Sequence, residues 1–280
     1  MNVAIIITAF NRKAKTLACI ERLYEHKHSD VDFTIFLTDD ASSDGTADAV
    51  AERFPEVVIS KGDGNLYYSR GTNLSWERAV KEGGFDGYLL HNDDTEILPH
   101  FWDELLEVDT YCKNKYGKGG IYAGATVSLD GSHMTYGASK NKGGWRNNFQ
   151  LVEPNGEFQE CDIANGNITY VSDDVVKELG CFYPGYVHGY GEYDYILTAH
   201  KKGIPVLLMR SYVGKCDDDH TSHHEILLRK NLKDRIKYLY APAGLRFKDG
   251  LLFQKRHCPQ YYLPMFVSYW IRTLFPKLHK

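Results

Sequence analysis

Apolar positions along the first hundred residues alternate between two periods. "VAIIIT" (3–8) is a short β-rich run, after which Leu17, Ile20, Leu23 and Tyr24 recur at helical spacing over about Arg12 to Glu25. "DFTIFLTDD" (32–40) repeats the strand pattern, and in "SSDGTADAVAERF" behind it Ser42 or Ser43 can cap a helix whose Ala47, Val50 and Ala51 face a sheet. "EVVIS" (56–60) predicts a third strand, "GTNLSWERAVKEG" (71–83) a third helix stopped by Gly83-Gly84, and "DGYLLHN" (86–92) a fourth strand. Such alternation predicts an α/β fold, a mostly parallel central sheet with helices on both faces.

In sheets of this kind ligands sit beyond the carboxyl ends of the strands. Polar residues gather there: Thr8, Phe10 and Asn11 after strand one, Asp39 and Asp40 after strand two, Asn65 after strand three, Asn92 to Asp94 after strand four. Taken singly, each acid reads as a solvated or capping residue; their convergence on one rim favours a site. Asp93 and Asp94 repel each other at the end of a buried strand, so a positive group is expected beside them.

The chain of 280 residues is 43% apolar, enough for a full core. A net charge of -4 argues against a general polyanion binder, and no nucleic-acid partner is expected. Six cysteines stand at 19, 112, 161, 181, 216 and 258 without zinc or redox spacing, which fits a reduced, cytoplasmic setting. "MNVAIIITAFNR" lacks a basic leader and is expected to belong to the fold. The run Tyr261 to Ile271 is too short and proline-broken for a membrane span. It reads first as a docked C-terminal helix. A second reading, from its aromatics flanked by Lys255, Arg256, Arg272, Lys277 and Lys280, is peripheral contact with an anionic lipid surface.

No GxGxxG opens the first helix and no GxxxxGK[ST] occurs, which disfavours a dinucleotide fold or a P-loop enzyme. Without a P-loop, a diphosphate beside paired acids is most simply neutralised by a divalent cation, Mg2+ or Mn2+, shared between carboxylate and phosphate oxygens.

"ITAFNR" (7–12), "DDASSDGT" (39–46), "GDGNLYYSRGTN" (62–73), "LLHNDDTEI" (89–97) and "GYGEYDYILTAHKKGI" (189–204) resemble, in order and spacing, the signatures of family 2 glycosyltransferases with the GT-A fold. The resemblance covers about residues 1 to 215. "GNLYYSRG" and "GEYDY" are most similar to the bacterial rhamnosyltransferase-like branch of surface polysaccharide assembly. It implies a GT-A domain over 1–220 (nucleotide-binding half 1–95, acceptor half 96–220); the tail beyond the resemblance reads by its own residues as a helical extension over 221–280, packed on the core. The resemblance also implies a metal-dependent, inverting transfer from a UDP- or dTDP-sugar to a glycan or polyprenyl-linked saccharide.

The resemblance assigns roles by position. Thr8, Phe10 and Arg12 would cradle base and ribose, with Asn65 and Arg70 also on the donor side; Asp40 would accept a hydrogen bond from the nucleobase. Asp93 would face ribose or sugar and Asp94 would hold the metal, although Asn92 replaces the first acid of the DxD-type motif. Glu192 would take the proton from the acceptor hydroxyl, and Asp194 would be structural or acceptor-orienting. Both acids also complement a helix dipole, the reading preferred without the other motifs. Asn165 and Asn167 in "CDIANGNITYVS" either contact sugar hydroxyls or make a turn. His220 in "KCDDDHTSHHE" is an outside candidate for a further metal ligand, while Lys215 stands where a histidine might be expected. "ILLRKNLKDRIKYLY" reads as an amphipathic helix through Ile226, Leu227, Ile236 and Leu239. A sugar-phosphate nucleotidyltransferase and a non-catalytic sugar-nucleotide-binding protein stay open as rivals; a glycoside hydrolase leaves the strand-two and strand-four acids unexplained.

Overall fold

A computed structural model describes residues 1–143, 149–218 and 221–278. The first half is β1 (Asn2–Ala9), α1 (Lys13–Glu25), β2 (Asp32–Asp39), α2 (Thr46–Arg53), β3 (Val58–Lys61), α3 (Tyr67–Glu82) and β4 (Gly87–His91). β1 pairs in parallel with β2 and with β4, and β2 with β3, so the expected alternation is present. β5 (Glu96–Ile97), α4 (Phe101–Tyr116), β6 (Ile121–Val127), β7 (Met134–Tyr136), β8 (Ala138–Asn141), β9 (Phe149–Leu151), β10 (Gln159–Glu160) and β11 (Ile163–Ala164) follow. Then come β12 (Ile168–Ser172), α5 (Asp173–Leu179), α6 (Gly191–Lys201) and β13 (Val206–Lys215).

The central sheet runs β10-β13-β6-β12-β4-β1-β2-β3. β13 returns to parallel pairing with β6, whereas β12 lies antiparallel between β4 and β6. Ile5 and Ile7 face one core layer with Leu23, Trp102 and Leu105, and Ile6 faces the other with Trp76, Tyr88 and Ile196. Each such fully buried aliphatic side chain contributes roughly 1.5–3 kcal/mol. Helices therefore cover both faces, as the near-continuous apolar strands require.

Two local expectations are corrected. α3 begins at Tyr67, four residues before the sequence pattern places it, because the Asp40 carboxylate accepts the Leu66 and Tyr67 N–H groups at 2.9 and 3.0 Å. That cap comes from 26 residues upstream, beyond any local pattern. Ser42 and Ser43 do not cap α2: Asn11 N–H donates to Ser42 Oγ at 2.9 Å, and Ser43 N–H donates to Asn11 Oδ1 at 2.8 Å. Asp44 does the capping instead, accepting Thr46 N–H and, from α1, Lys13 N–H, both at 3.0 Å.

The extension consists of α7 (His223–Arg229), α8 (Leu232–Tyr240), α9 (Phe247–His257) and α10 (Tyr262–Leu274). Leu227, Leu239, Leu245, Phe247, Leu251 and Tyr269 form its own small core. Phe253 of α9 joins Ile163, Tyr186 and Leu197 of the main body, so the extension is packed onto the rim beside α6. His220 and Lys280 lie outside the described residues.

Candidate active site

The positive group demanded by Asp93 and Asp94 is Arg12. Its Nη1 donates to Asp93 Oδ1 at 2.8 Å and to Asp94 Oδ2 at 2.7 Å. Thr16 Oγ1 adds a bond to Asp93 Oδ2 at 3.2 Å. Burial still holds the Asp93 carboxyl above its ordinary range, against the pull of Arg12. Asp94 keeps more freedom: among the described residues its Oδ1 accepts only the Cys216 thiol, at 3.8 Å. Burial raises that thiol to about 11, so it stays protonated.

This donor set fits a divalent cation only in part. Among the described residues no group of three or more His, Cys, Asp or Glu could enclose a metal. Asp94, with one carboxylate oxygen uncommitted to Arg12, suits a cation that takes its remaining ligands from phosphate and water, the usual habit of Mg2+.

At the end of β2 the two aspartates differ. Asp40 Oδ1 accepts Gly64 N–H at 2.8 Å and its Oδ2 accepts Leu66 and Tyr67, so three loop amides converge on it. A Cβ at Gly62 would lie 2.4 Å from Asp40 Oδ1, which is why glycine stands there. Asp39 is equally buried; its Oδ2 accepts Ser42 N–H at 3.2 Å, but its buried Oδ1 has no hydrogen-bond partner among the described residues. An unmet carboxylate oxygen is costly and calls for an external donor. The sequence reading favoured Asp40 and missed this property of Asp39.

Thr8 lies against α3, where only glycine at 71 fits, since a Cβ there would meet Thr8 Oγ1 at 2.3 Å. Phe10 is 52% exposed at the tip of β1. Asn65 is exposed, its N–H turned onto Asp63 Oδ1 at 2.9 Å, and Arg70 is exposed on the first turns of α3.

Glu192 is the second residue of α6, two after Tyr190, whose backbone is left-handed at φ 67. Its Oε2 is buried and has no hydrogen-bond partner among the described residues, and burial raises its pKa, an effect only partly offset by its own N–H and by Arg246. The neighbouring Tyr68 phenol is raised well above its usual range by burial and by the Glu192 charge. Asp194, on the same turn, is the opposite case. Tyr186 Oη (2.9 Å), Arg256 Nε (2.5 Å) and His257 Nε2 (2.7 Å) all donate to its Oδ1, with Arg256 Nη2 on Oδ2 at 3.2 Å. Burial alone would raise its pKa, but the bonds from His257, Arg256 and Tyr186 hold it below the ordinary aspartate value.

The turn at 165–167 joins the two acidic regions. A Cβ on Gly166 would meet Tyr68 Oη at 2.1 Å and Glu192 Cβ at 3.8 Å, while the next residue's carbonyl accepts Asn92 N–H at 3.1 Å. Asn165 Nδ2 donates to Tyr193 Oη at 2.7 Å, and buried Asn167 reaches Thr95 Oγ1 at 3.4 Å. Glu192 thus lies against one side of this short turn, and Asn92 and Thr95, which bracket Asp93 and Asp94 in the chain, bond to the other.

Sequence reasoning also missed the part played by the extension. Asp249 of α9 accepts the N–H groups of His188 and Gly189 at 3.0 and 3.1 Å, holding the loop that leads into Glu192. Arg246, at φ 56, lays its guanidinium over Gly189, where a Cβ would stand 2.5 Å from Arg246 Cδ. Left-handed backbone at a bulky residue costs of order 1–3 kcal/mol and persists only where the surroundings fix it. No local pattern announces either residue.

No curated relative matches the chain. Among solved structures it is similar to TarS 1-349 of S. aureus in complex with UDP-GlcNAc, at 12% identity and a TM-score of 0.58, covering 98% of this chain and 81% of that one. It is also similar to the mannosyltransferase PcManGT of Pyrobaculum calidifontis in complex with GDP-Man and Mn2+, at 13% identity and a TM-score of 0.54, covering 97% and 74%. The fold is therefore that of these GT-A proteins, including the extension. Residues 4–110, which carry β1 to β4, Asp40 and the Arg12–Asp93–Asp94 cluster, match the family model described as Glycosyl transferase family 2.

Proposed function

We propose that the chain is an inverting glycosyltransferase that moves a hexosyl or deoxyhexosyl group from a UDP- or dTDP-sugar to a hydroxyl of a glycan or polyprenyl-linked saccharide. The rhamnosyltransferase-like motifs favour surface polysaccharide synthesis at the cytoplasmic side of a bacterial membrane. One observation carries the reading: a Glu192 carboxylate whose buried Oε2 has no hydrogen-bond partner among the described residues, beside the turn at 165–167 that holds Asn92 N–H.

In the proposed reaction the acceptor O–H proton passes to Glu192 while the acceptor oxygen bonds to the anomeric carbon. The bond from that carbon to the phosphate oxygen breaks, and its electron pair leaves with the nucleoside diphosphate. Burial suits Glu192 to this task, because a base with a raised pKa takes a proton more readily near neutrality. A divalent cation held at Asp94 would supply charge neutralisation for the leaving diphosphate. Arg12 keeps Asp93 and Asp94 together, Thr8, Phe10, Asn65 and Arg70 line the donor side, and Asp39 with Asp40 reads the base N–H.

The test is a thermal-shift screen with UDP-, dTDP- and GDP-sugars, each with and without Mn2+, followed by assay of nucleoside diphosphate release with acceptor present. A ligand that prefers the native state raises the midpoint. A metal-dependent rise with a pyrimidine nucleotide and acceptor-dependent release supports the proposal; a rise without release under any acceptor makes the chain a binding protein.

A further inference from the structure

Charge is divided unevenly along the chain. Between residues 221 and 280 stand 12 Lys and Arg and only 3 acids, Glu225, Asp234 and Asp249, whereas residues 1–220 carry 21 against 34. Asp249 is buried against the loop at 187–189, and no acid occurs from residue 250 onward. The extension is thus a strongly basic layer on an acidic body.

Its last helix is amphipathic in an unusual sense. Tyr269 and Thr273 of α10 are buried, and Met265 and Trp270 pack on the extension's core. Leu263, Val267, Ile271 and Leu274, spaced i, i+4, i+8 and i+11, form a second apolar stripe that faces solvent, Leu263 being 63% exposed. Phe275 and Leu278 continue it beyond the helix, Leu278 at 80%. A contiguous stripe of this size on a water-exposed surface marks an interaction site.

We infer that this stripe is a membrane-docking face, and that its partner is an anionic phospholipid surface. The 13-residue helix is about 20 Å long at 1.5 Å per residue, short of the roughly 30 Å hydrocarbon core, and no described helix can cross a membrane. It can lie in the interfacial plane, with its apolar side chains among the acyl chains and Lys255, Arg272 and Lys277 near phosphate headgroups. A second copy of the chain is a poorer occupant, since two copies pairing through α10 would bring two basic layers together. The extension also holds the Glu192 loop through Asp249, so docking would keep the base with the element that binds the surface where a polyprenyl-linked acceptor presents its hydroxyl. That last clause rests on the transfer reading; the docking itself does not.

The experiment is flotation of the purified full chain with vesicles of phosphatidylcholine alone and of phosphatidylcholine with 30% phosphatidylglycerol, at low and high salt. We expect binding to the anionic vesicles at least tenfold above the neutral ones, weakened by salt. The double variant Leu263→Glu, Ile271→Glu should lose at least tenfold of that binding while keeping its melting temperature and its nucleotide-sugar binding. Flotation unaffected by the double variant, or no binding to anionic vesicles, overturns the inference. So does a concentration-dependent dimer in sedimentation that the same variant dissolves. Nucleotide-sugar binding and product release are read separately, so failure of docking leaves the transferase proposal standing, and the reverse.

Discussion

Glu192 and Asp194 stand two residues apart on one turn of α6, the first half-buried with a buried Oε2 and the second buried, and the protein treats them in opposite ways. Asp194 receives four hydrogen bonds from Tyr186, Arg256 and His257 and is held below the ordinary aspartate pKa. Glu192 keeps an oxygen with no partner, and burial lifts its pKa. The first arrangement commits both carboxylate oxygens to the protein and fastens the extension to the helix. The second stores an unmet demand for a proton. Partner count, rather than burial or charge alone, separates a structural carboxylate from one prepared for chemistry.

The sharpest way to break that contrast is Glu192→Gln. If Glu192 is the base, turnover should fall by about 100- to 10,000-fold, the usual worth of general-base help, while the dissociation constant for the donor stays within twofold. Calorimetric titration of donor alongside single-turnover rates decides it. Loss of donor binding with turnover in proportion would return Glu192 to a binding role.

Asp194→Ala comes next and should act through the fold. Removing one partner of a buried ion pair typically costs roughly 3–5 kcal/mol, here because His257 and Arg256 lose their common acceptor. Chemical denaturation should show that loss, with the loop at 187–189 gaining amide exchange. Full stability with lost turnover would instead put Asp194 in the reaction.

The pair should also split in pH dependence. For Asp194 the folded pKa is depressed, so its stabilisation is present above the unfolded value near 3.9 and lost as pH falls through the lower folded value. For Glu192 the folded pKa is raised, so its charge costs stability, a penalty that is absent below the unfolded value near 4.3 and grows as pH rises through the folded one. Glu192→Gln should therefore melt higher than the parent at pH 7 and converge with it at pH 4 and below. The acid limb of turnover should likewise lie above the ordinary glutamate range, and a limb at or below that range would contradict the geometry.

The first half of the fold was readable because β1 to β4 and their helices alternate in sequence, and each apolar period is local. The antiparallel β12, inserted between β4 and β6, was not, since register there depends on residues far apart in the chain. The same distinction runs through the site. The acids themselves stood out as strand-end residues, but their partners did not: Arg12 meets Asp93 across 81 residues, and His257 meets Asp194 across 63. Asp39 and Asp40 are indistinguishable as adjacent letters; only the loop amides that fold onto one of them tell the two apart.

That adjacent pair repeats the contrast in milder form and gives the smallest predicted effects. Asp40 has three amide donors, so Asp40→Ala should loosen the loop before α3 and cost about 1–3 kcal/mol of stability, with donor binding impaired as a consequence. Asp39 keeps Oδ1 unmet, so Asp39→Asn should spare the melting temperature yet weaken a uridine or thymidine nucleotide about tenfold, roughly 1.4 kcal/mol. The asparagine retains an acceptor oxygen but loses the charge that strengthens its hold on an imide N–H, and its amide can turn a donor towards the same position. Titration with UDP and with a purine nucleotide separates the outcomes. Weakening confined to the pyrimidine assigns the base contact to Asp39; equal weakening of both, or none, leaves the contact with Asp40 and means that a free lone pair at this rim is not by itself the mark of a binding group.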